Sequence, residues 1–398
     1  MRKGFKNILT WPKKLCYICA HELKLIFGDA GVVIFFVLVS MAYPIIYSLV
    51  YNTEIPRDIR VVVVDDDRSE SSREFVRALD ATPEVAVVGY CANMAEARRA
   101  INEHECYGII NFPRDYGKSI GRLEQAHINV YCDMGVMMRY KQILMATTAV
   151  QQEMSAHITA AKAAVVPINI GGGGIENEQI PLGNVAMGLA SAILPCILML
   201  ALQQSMLLGV GMLHGGMRDR RRRNGGIDPL YQPAFAPLAV LGRAVAHLIV
   251  YAVPTVYALL LVPKFFSFPQ NGNMYDILAL TVPFLLACSL FSQTVKVFVK
   301  GREATFITLV FTSIIFVFLT GISWPRMSMS PFWIAIGNMI PTTWGCNAYI
   351  AIQSNGASLA AQSHAYLMLW ALCGIYLISA SVVEHFIAKH QSAPHKAR

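Results

Sequence analysis

The chain has 398 residues, of which 55% are hydrophobic and only 15% are charged, and its mean hydropathy is +0.46. A soluble domain carries about 25% charged residues, so much of this chain is expected to lie in a lipid bilayer, where charge is costly. Residues 52–185 hold 13 basic and 18 acidic residues, whereas the remainder holds 20 basic and 7 acidic residues. The basic excess flanks apolar segments, which favours membrane topology over nucleic-acid binding.

Residues 1–30 are basic and amphipathic, and they precede the first long apolar run. Trp11 and Lys13 are typical interfacial anchors, so we predict a helix lying on the cytoplasmic face of the membrane. The alternative is an ordinary solvent-exposed N-terminal segment with some hydrophobic residues. The apolar run that follows starts too late and is too long for a signal peptide, which predicts a retained anchor.

Six apolar segments are long enough to cross the hydrocarbon core. They are predicted at residues 31–51, 185–213, 235–262, 277–299, 304–323 and 365–387. None has Asp or Glu in its middle, which argues against a proton-driven carrier. Gly211 and Gly215 form a pair of small residues that predicts close helix packing.

Basic residues are concentrated in the N-terminal segment, in the loops after the second and fourth spans, and in the tail, residues 389–398. The opposite short loops offer only Lys264 and Arg326. By the positive-inside rule both termini are predicted to be cytoplasmic, and residues 52–184 are predicted to lie outside the cytoplasm.

Residues 52–184 alternate predicted strands with predicted helices. The strands are expected at residues 60–65, 85–89, 107–112 and 128–132, and the helices at residues 69–79, 94–102 and 135–164, with a short one after Pro113. This order predicts a small α/β domain with a mainly parallel sheet. Four glycines at residues 171–174 are predicted to form a flexible joint before the second span.

The sequence predicts neither catalysis nor metal binding by this chain. The glycine run is not followed by the Gly-Lys-Ser/Thr of a P-loop, so we do not expect the chain to bind or hydrolyse ATP. Asp65, Asp66 and Asp67 lack the spacing of an EF-hand, and a strand end with solvated acids is the better interpretation. Cys16 and Cys19 lie close together near the N-terminus without a matching His or Cys cluster, and no nucleophile motif accompanies the histidines.

Polar residues inside spans are candidates for a transport pathway. Gln203, His247 and Gln293 are such residues. The alternative is a hydrogen bond between helices, which we favour for the glutamines. His247 has no acidic partner in its span, so a proton-linked role is weakly supported.

The cytoplasmic segment at residues 214–233 is charged first and then turn-prone and apolar. It is predicted to dock into a groove of a partner protein. The alternative is that its basic residues only fix the membrane topology, by the positive-inside rule, and both can be true. The candidate coupling residues are Arg218, Arg220, Arg221, Asn224, Gly225, Ile227 and Leu230.

The segment at residues 324–350 is apolar but too broken to span the membrane. It is predicted to form re-entrant or interfacial helices on the outer face, with tryptophans at the level of the lipid headgroups. The residues that define it are Gly321, Pro325, Pro331, Trp333, Pro341 and Trp344.

The chain resembles the ABC-2 (type V) exporter permease family. The order of parts agrees, as do VVVVDDDRSESSREFVRALD and YGIINFPRDYGKSI in the polar block and QPAFAPLAVLGRAV at residues 232–245. The most specific likeness is GISWPRMSMSPFWIAIGNMIPTTW, residues 321–344. The coupling segment departs from the family, because arginines stand where its members carry Glu, and Asn224-Gly225 replaces Gly-Thr.

The resemblance implies a multi-pass α-helical permease in a bacterial inner membrane, with a large extracytoplasmic domain. It also implies an ABC ATPase subunit that holds ATP and Mg, and a second permease that is either an identical chain or a paralogue. In two-membrane bacteria a periplasmic adaptor protein often joins such members, and the cargo is an amphiphile such as a drug, lipid or glycan. The alternative function is a membrane-anchored receptor or assembly factor whose outer domain binds a ligand.

Overall fold

The computed structural model describes residues 2–51, 54–122, 124–165, 183–184 and 188–392. The chain divides into a helical unit, Met1–Glu54 with Ile180–Arg398, and an α/β unit, Ile55–Gln179. The predicted joint at residues 171–174 lies outside the described residues, as does most of the predicted tail.

A four-stranded sheet forms the centre of the α/β unit. Its strands are β1 (Ile59–Asp65), β2 (Val85–Tyr90), β3 (Gly108–Phe112) and β4 (Asn129–Cys132). They lie in the order β2-β1-β3-β4, where β1 pairs parallel with β2 and β3, and β4 pairs antiparallel with β3. The predicted α/β domain with a mainly parallel sheet is therefore confirmed.

Four helices accompany the sheet, and they are Glu70–Asp80, Met94–Asn102, Tyr116–Arg122 and Met137–Val165. Ser69 caps the first helix, because its Oγ accepts a hydrogen bond from the Ser72 N–H at 3.1 Å. Phe75 of this helix and Ile143 of the last helix share one apolar core, whereas Ala97 of the second helix belongs to another. Two apolar cores thus bury the strands between layers of helix.

The acidic run after β1 is organised by hydrogen bonds. Asp65 accepts from the Asp67 N–H at 3.1 Å and, through its other carboxylate oxygen, from Ser72 Oγ at 2.7 Å. Asp67 in turn accepts from the Gly117 N–H at 2.9 Å. These two carboxylates therefore hold a turn, and only Asp66 is the exposed acid that we expected here.

Six helices of the described chain are long and apolar enough to cross a membrane. They are span 1 (Ala30–Val50), span 2 (Leu189–Arg223), span 3 (Ala236–Phe265), span 4 (Met274–Phe298), span 5 (Arg302–Leu319) and span 6 (Ser363–Lys389). Their number and order confirm the prediction. Span 2 differs at its end, because the helix continues beyond residue 213 through the arginine run. Arginine is a good helix former, so its charge ends the apolar pattern without ending the helix.

An N-terminal helix, Arg2–Phe27, precedes span 1 and packs against span 3. Ile26 is fully buried in the largest apolar core of the spans. Asp29 then caps span 1 by accepting from the Gly31 N–H at 3.1 Å, and it forms an ion pair with Arg302 at the start of span 5. The burial of Ile26 and the ion pair between Asp29 and Arg302 therefore hold the end of the N-terminal helix against the spans.

Glu54 joins the end of span 1 to the start of span 2. Its backbone carbonyl accepts from the Leu189 N–H at 2.9 Å, and its carboxylate accepts from Ser191 Oγ at 2.6 Å. A negative charge at a helix N-terminus is favourable, because the free N–H groups carry partial positive charge. The end of span 1 and the start of span 2 are therefore bonded to each other.

Spans 2 and 5 approach closely at two glycines. A Cβ added to Gly215 would lie 2.7 Å from the backbone nitrogen of Arg302, and one added to Gly211 would meet the side chain of Thr305. This is the close packing that the glycine pair predicts.

We expect Gly215→Ala to lower the thermal unfolding midpoint of the purified chain in detergent, because the methyl group would press on the backbone of span 5. Gly374→Ala is the matched control, since a Cβ at Gly374 in span 6 meets open space. Alanine favours helix by about 1 kcal/mol over glycine, so the control should keep or raise the midpoint. Equal midpoints for the two variants would contradict the close approach of spans 2 and 5.

Candidate functional site

The predicted coupling segment, residues 214–233, is called the arginine-rich segment below. It folds back on itself through one ion pair. Arg220, in the last turn of span 2, contacts both carboxylate oxygens of Asp228, with Nε–Oδ1 at 3.0 Å and Nη2–Oδ2 at 3.1 Å. The Leu230 N–H also donates to Asp228 at 3.1 Å. A bidentate arginine–carboxylate pair fixes geometry as well as charge, so residues after span 2 are held in a defined loop.

The remaining predicted coupling residues are largely occupied by bonds within the chain. Arg218 donates to the Val299 carbonyl at 2.9 Å, and Arg221 donates to the Gly226 carbonyl at 2.7 Å. The Asn224 amide donates to the Arg220 carbonyl, and Gly225 has a positive φ of 67° that closes the turn. These residues therefore organise the loop.

The apolar members of the predicted coupling set face outward. Ile227 is 52% exposed and Leu230 is 43% exposed. Arg222 and Arg223 are exposed next to them. The exposed face of this segment therefore combines two apolar side chains with two arginines.

The N-terminal helix contacts the same loop. His21 Nε2 lies 3.0 Å from the Leu230 carbonyl oxygen, and the Gln232 amide donates to the Tyr17 hydroxyl at 3.0 Å. The helix and the loop thus form one surface at the end of the bundle where span 2 finishes.

Four charged side chains meet beneath this surface, and we call Glu22, Arg243, Lys296 and Glu384 the charge cluster. Arg243 of span 3 lies 2.6 Å from a Glu384 carboxylate oxygen in span 6, and Lys296 of span 4 lies 3.0 Å from the same oxygen. Arg243 also lies 3.6 Å from Glu22 of the N-terminal helix. Glu22, Lys296 and Glu384 are each more than nine-tenths buried. The cluster therefore joins the N-terminal helix to three spans.

The charges in the cluster balance, two acids against two bases. Burial raises the pKa of Glu22, but the facing His247 ring and the Arg243 guanidinium outweigh it, and the pKa of Glu22 lies below its ordinary value. Tyr231 donates to Glu384 at 3.4 Å, and burial together with that carboxylate raises the pKa of Tyr231 to about 12. Glu22 is thus held ionised while the Tyr231 phenol stays protonated.

His247 lies next to the cluster on span 3. Its Nδ1 is 2.8 Å from Ser289 Oγ, and its Nε2 is 3.6 Å from Glu22 Oε1. The sequence showed no acidic partner for His247 within its span. The structure supplies one from the N-terminal helix, more than 200 residues away along the chain.

The three candidate pathway residues do not form one set. Gln293 donates to the Val240 carbonyl at 3.2 Å and lies 3.4 Å from Ser289 Oγ, which places it beside His247. Gln203 lies elsewhere and accepts from the Thr342 N–H at 2.8 Å. Both glutamines make the hydrogen bonds between helices that we favoured as the simpler interpretation.

The predicted outer segment, residues 324–350, follows the end of span 5. Gly321 has a φ of 92°, a left-handed conformation that glycine adopts without steric cost, and a Cβ there would lie 2.6 Å from Arg326 Cγ. Beyond Pro325, a 3₁₀ turn (Arg326–Ser328) and two helices (Pro331–Asn338 and Pro341–Gln353) follow. Pro331 and Pro341 begin these helices, as proline's fixed φ favours. The predicted breaks in this segment are therefore present.

Two tryptophans of the outer segment have different surroundings. Trp344 donates to the Asn338 carbonyl at 2.9 Å, and the Arg326 guanidinium carbon lies 5.4 Å from the centre of its ring. Trp333 is 50% exposed. Trp344 thus connects different parts of the segment through hydrogen-bond and cation–π contacts, whereas the Trp333 side chain is half exposed.

A cavity of about 680 Å³ opens beside the charge cluster. Its walls come from the N-terminal helix, the arginine-rich segment and the ends of spans 2, 3, 4 and 5. His247 and Gln293 lie in its wall with Glu22, Arg243 and Lys296. Of the candidate pathway residues, only Gln203 is remote from it.

Sequence reasoning missed the charge cluster as a unit. The sequence places Glu22 in a basic helix, Lys296 among loop charges and Arg243 in a family motif, and none of these positions predicts a contact between them. Glu384 is an acid within an apolar span, though near its end, and such a residue signals a buried partner. That signal was available, but the identity of the partners was not.

Comparison with protein families gives a match to most of the chain. A family model described as "ABC-2 family transporter protein" matches residues 31–382. No curated protein matches the chain at a significant level. The matched range includes Arg243 and Lys296 but neither Glu22 nor Glu384.

We expect Glu384→Gln to lower the thermal unfolding midpoint strongly, because removing one partner of a buried ion pair costs about 3–5 kcal/mol. The double variant Glu384→Gln with Lys296→Met should recover part of the loss, since it removes the unpaired charge. Glu303→Gln is the control, because Glu303 is exposed and makes no ion pair within the described residues. A midpoint for Glu384→Gln equal to that of the control would refute the cluster.

Proposed function

Because the chain belongs to the ABC-2 transporter family, and is thus a multi-pass membrane permease component of an ABC transporter, we propose that it is the permease subunit of an exporter. It moves an amphiphilic substrate, such as a drug, a lipid or a glycan, out of the cytoplasm or the inner membrane. Components of this family are not themselves catalytic, and an ABC ATPase partner is implied in general. ATP and Mg are then bound by the partner, and this chain binds no cofactor.

The observation that carries the proposal is the chain of contacts from the arginine-rich segment to the spans. Arg220 and Asp228 hold the loop, Tyr231 in the loop bonds to Glu384, and Glu384 pairs with charges on spans 3 and 4. A partner that pushes on this loop displaces buried, bonded side chains. The arrangement suits the transfer of an ATP-driven movement into the membrane part.

Membrane orientation follows from charge. The end of the bundle that holds the charge cluster also holds the arginine run and Arg302. Facing the cytoplasm, this end obeys the positive-inside rule, with both termini inside and the α/β unit outside the inner membrane. The outer segment then lies at the far interface, where the exposed Trp333 suits the headgroup level.

The proposal includes partners on both sides of the membrane. The ATPase binds the loop after span 2, through exposed Ile227 and Leu230 with Arg222 and Arg223 around them, and the N-terminal helix lies on the membrane surface beside it. A second permease, identical or paralogous, completes a twelve-span pathway. The α/β unit is the surface for a periplasmic adaptor protein, and membrane lipids surround the spans.

The docking surface is tested by Ile227→Glu in a tagged chain purified from its own cells. A charge placed at the centre of an apolar contact should remove most of the copurifying ABC ATPase, identified by mass spectrometry. Met327→Glu, at an exposed methionine of the outer segment, should leave the yield of ATPase unchanged. Equal recovery with both variants would reject this docking surface.

The transport claim is tested with vesicles that contain the purified complex. Fluorescent amphiphiles should move when ATP is present, and a pH gradient alone should not drive them. Movement driven only by the pH gradient would reject the proposal in favour of a proton-linked carrier. Ligand binding to the α/β unit with no transport at all would favour a receptor.

A further inference from the structure

The cavity beside the charge cluster is large enough for a ligand. Its volume of about 680 Å³ lies within the usual range of small-molecule sites, roughly 300–1,000 Å³. It is formed within one chain, and the N-terminal helix makes one of its walls. Leu25, Val210 and Leu213 add apolar surface next to the charged groups.

The wall of this cavity carries more positive than negative charge. Its cations are Lys24, Arg220, Arg243, Lys296 and Arg302, and its acids are Glu22, Asp29 and Asp228. Glu384 lies behind Arg243 and Lys296 and leaves the excess positive. Lys24 is exposed and makes no ion pair among the residues that the structure describes. An anionic group is therefore favoured in the cavity, with Lys24 free to contact it.

One buried polar atom in the wall lacks a partner among the described residues. Gln293 Oε1 accepts no hydrogen bond there and its side chain is 1% exposed, whereas His247 Nε2 faces Glu22 Oε1 at 3.6 Å. Leaving a buried oxygen unpaired is unfavourable. The Gln293 oxygen only accepts hydrogen bonds, so it calls for a donor such as a hydroxyl or an amine.

An anionic group would match the excess positive charge of the wall, and a hydrogen-bond donor beside it would match the unpaired Gln293 oxygen. An apolar tail would match the apolar part of the lining. We propose that this cavity binds the headgroup of a phosphate-bearing amphiphile that also carries hydroxyl or amine donors. The phosphate lies toward Lys24, a donor reaches Gln293, and the tail follows the apolar wall. The proposal rests on the proposed function, since it names the substrate class of the same transporter.

Binding is measured on the purified full-length chain in detergent, without an ATPase, by titration with dioctanoyl phosphatidylglycerol. This probe carries a phosphate and two hydroxyls, whereas dioctanoyl phosphatidylcholine, the comparison lipid, has no net charge and no donor. Glycerol phosphate and inorganic phosphate separate a headgroup site from a site for a free anion. Because no ATP is involved, failure here leaves the vesicle result intact, and the reverse also holds.

Two variants with matched controls test the named residues. Lys24→Gln and Gln293→Leu should each raise the Kd for dioctanoyl phosphatidylglycerol about fivefold, the effect of losing one charge or hydrogen-bond contact. Lys264→Gln removes an exposed lysine at the opposite end of span 3. Gln204→Leu removes a buried glutamine that also has an unpaired amide nitrogen but lies outside the cavity wall. Both controls should leave the Kd unchanged.

The outcomes separate as follows. Tighter binding of phosphatidylglycerol than of phosphatidylcholine, weakened by Lys24→Gln, supports the proposal, and competition by glycerol phosphate supports recognition of the headgroup. Inorganic phosphate binding as tightly as the lipid would overturn the amphiphile and leave a free-anion site. Equal binding of both lipids, or binding that neither variant changes, would overturn the site. Lys24 is exposed, so Lys24→Gln keeps the fold and the test remains valid if Gln293→Leu does not fold.

Discussion

The pairing of four buried charges at one end of the spans is the interaction on which the rest of this structure depends. A single charge at such a position costs several kcal/mol, and only an opposite charge with good geometry offsets it. Glu384 is placed between Arg243 and Lys296, and Glu22 completes the balance from the N-terminal helix. None of these residues is tolerable alone, so the three spans and the helix must assemble together.

This dependence explains how a surface loop is connected to the membrane part. The loop after span 2 is held by Arg220 and Asp228, and Tyr231 carries the connection to Glu384. Apolar packing alone would let helices slide, because lipid is as apolar as the side chains that it replaces. Ion pairs in a low dielectric do not slide without a large penalty, so they transmit displacement.

Sequence reasoning predicted the elements well, because hydrophobic runs and alternating patterns are local signals. The six spans, the four strands and the capped helix after Ser69 agree with the structure. Long-range pairings were missed, because Arg243 and Glu384 are separated by 141 residues and nothing local records their contact. Lysine and arginine near spans were taken as topology signals, which hid the buried role of Lys296. The arginine run was predicted as a docking surface, yet three of its five arginine side chains donate hydrogen bonds to groups of the chain itself.

The central claim is that the charge cluster holds the N-terminal helix to the spans, and hydrogen exchange tests it most directly. Among the described residues Glu384 forms no hydrogen bond or ion pair with that helix, and Arg243 links the two, so Glu384→Gln acts on the helix indirectly. In the purified chain we predict faster amide exchange in the part of the N-terminal helix around Glu22, with Glu303→Gln unchanged from the natural chain. Unaltered exchange around Glu22 in Glu384→Gln would contradict the account.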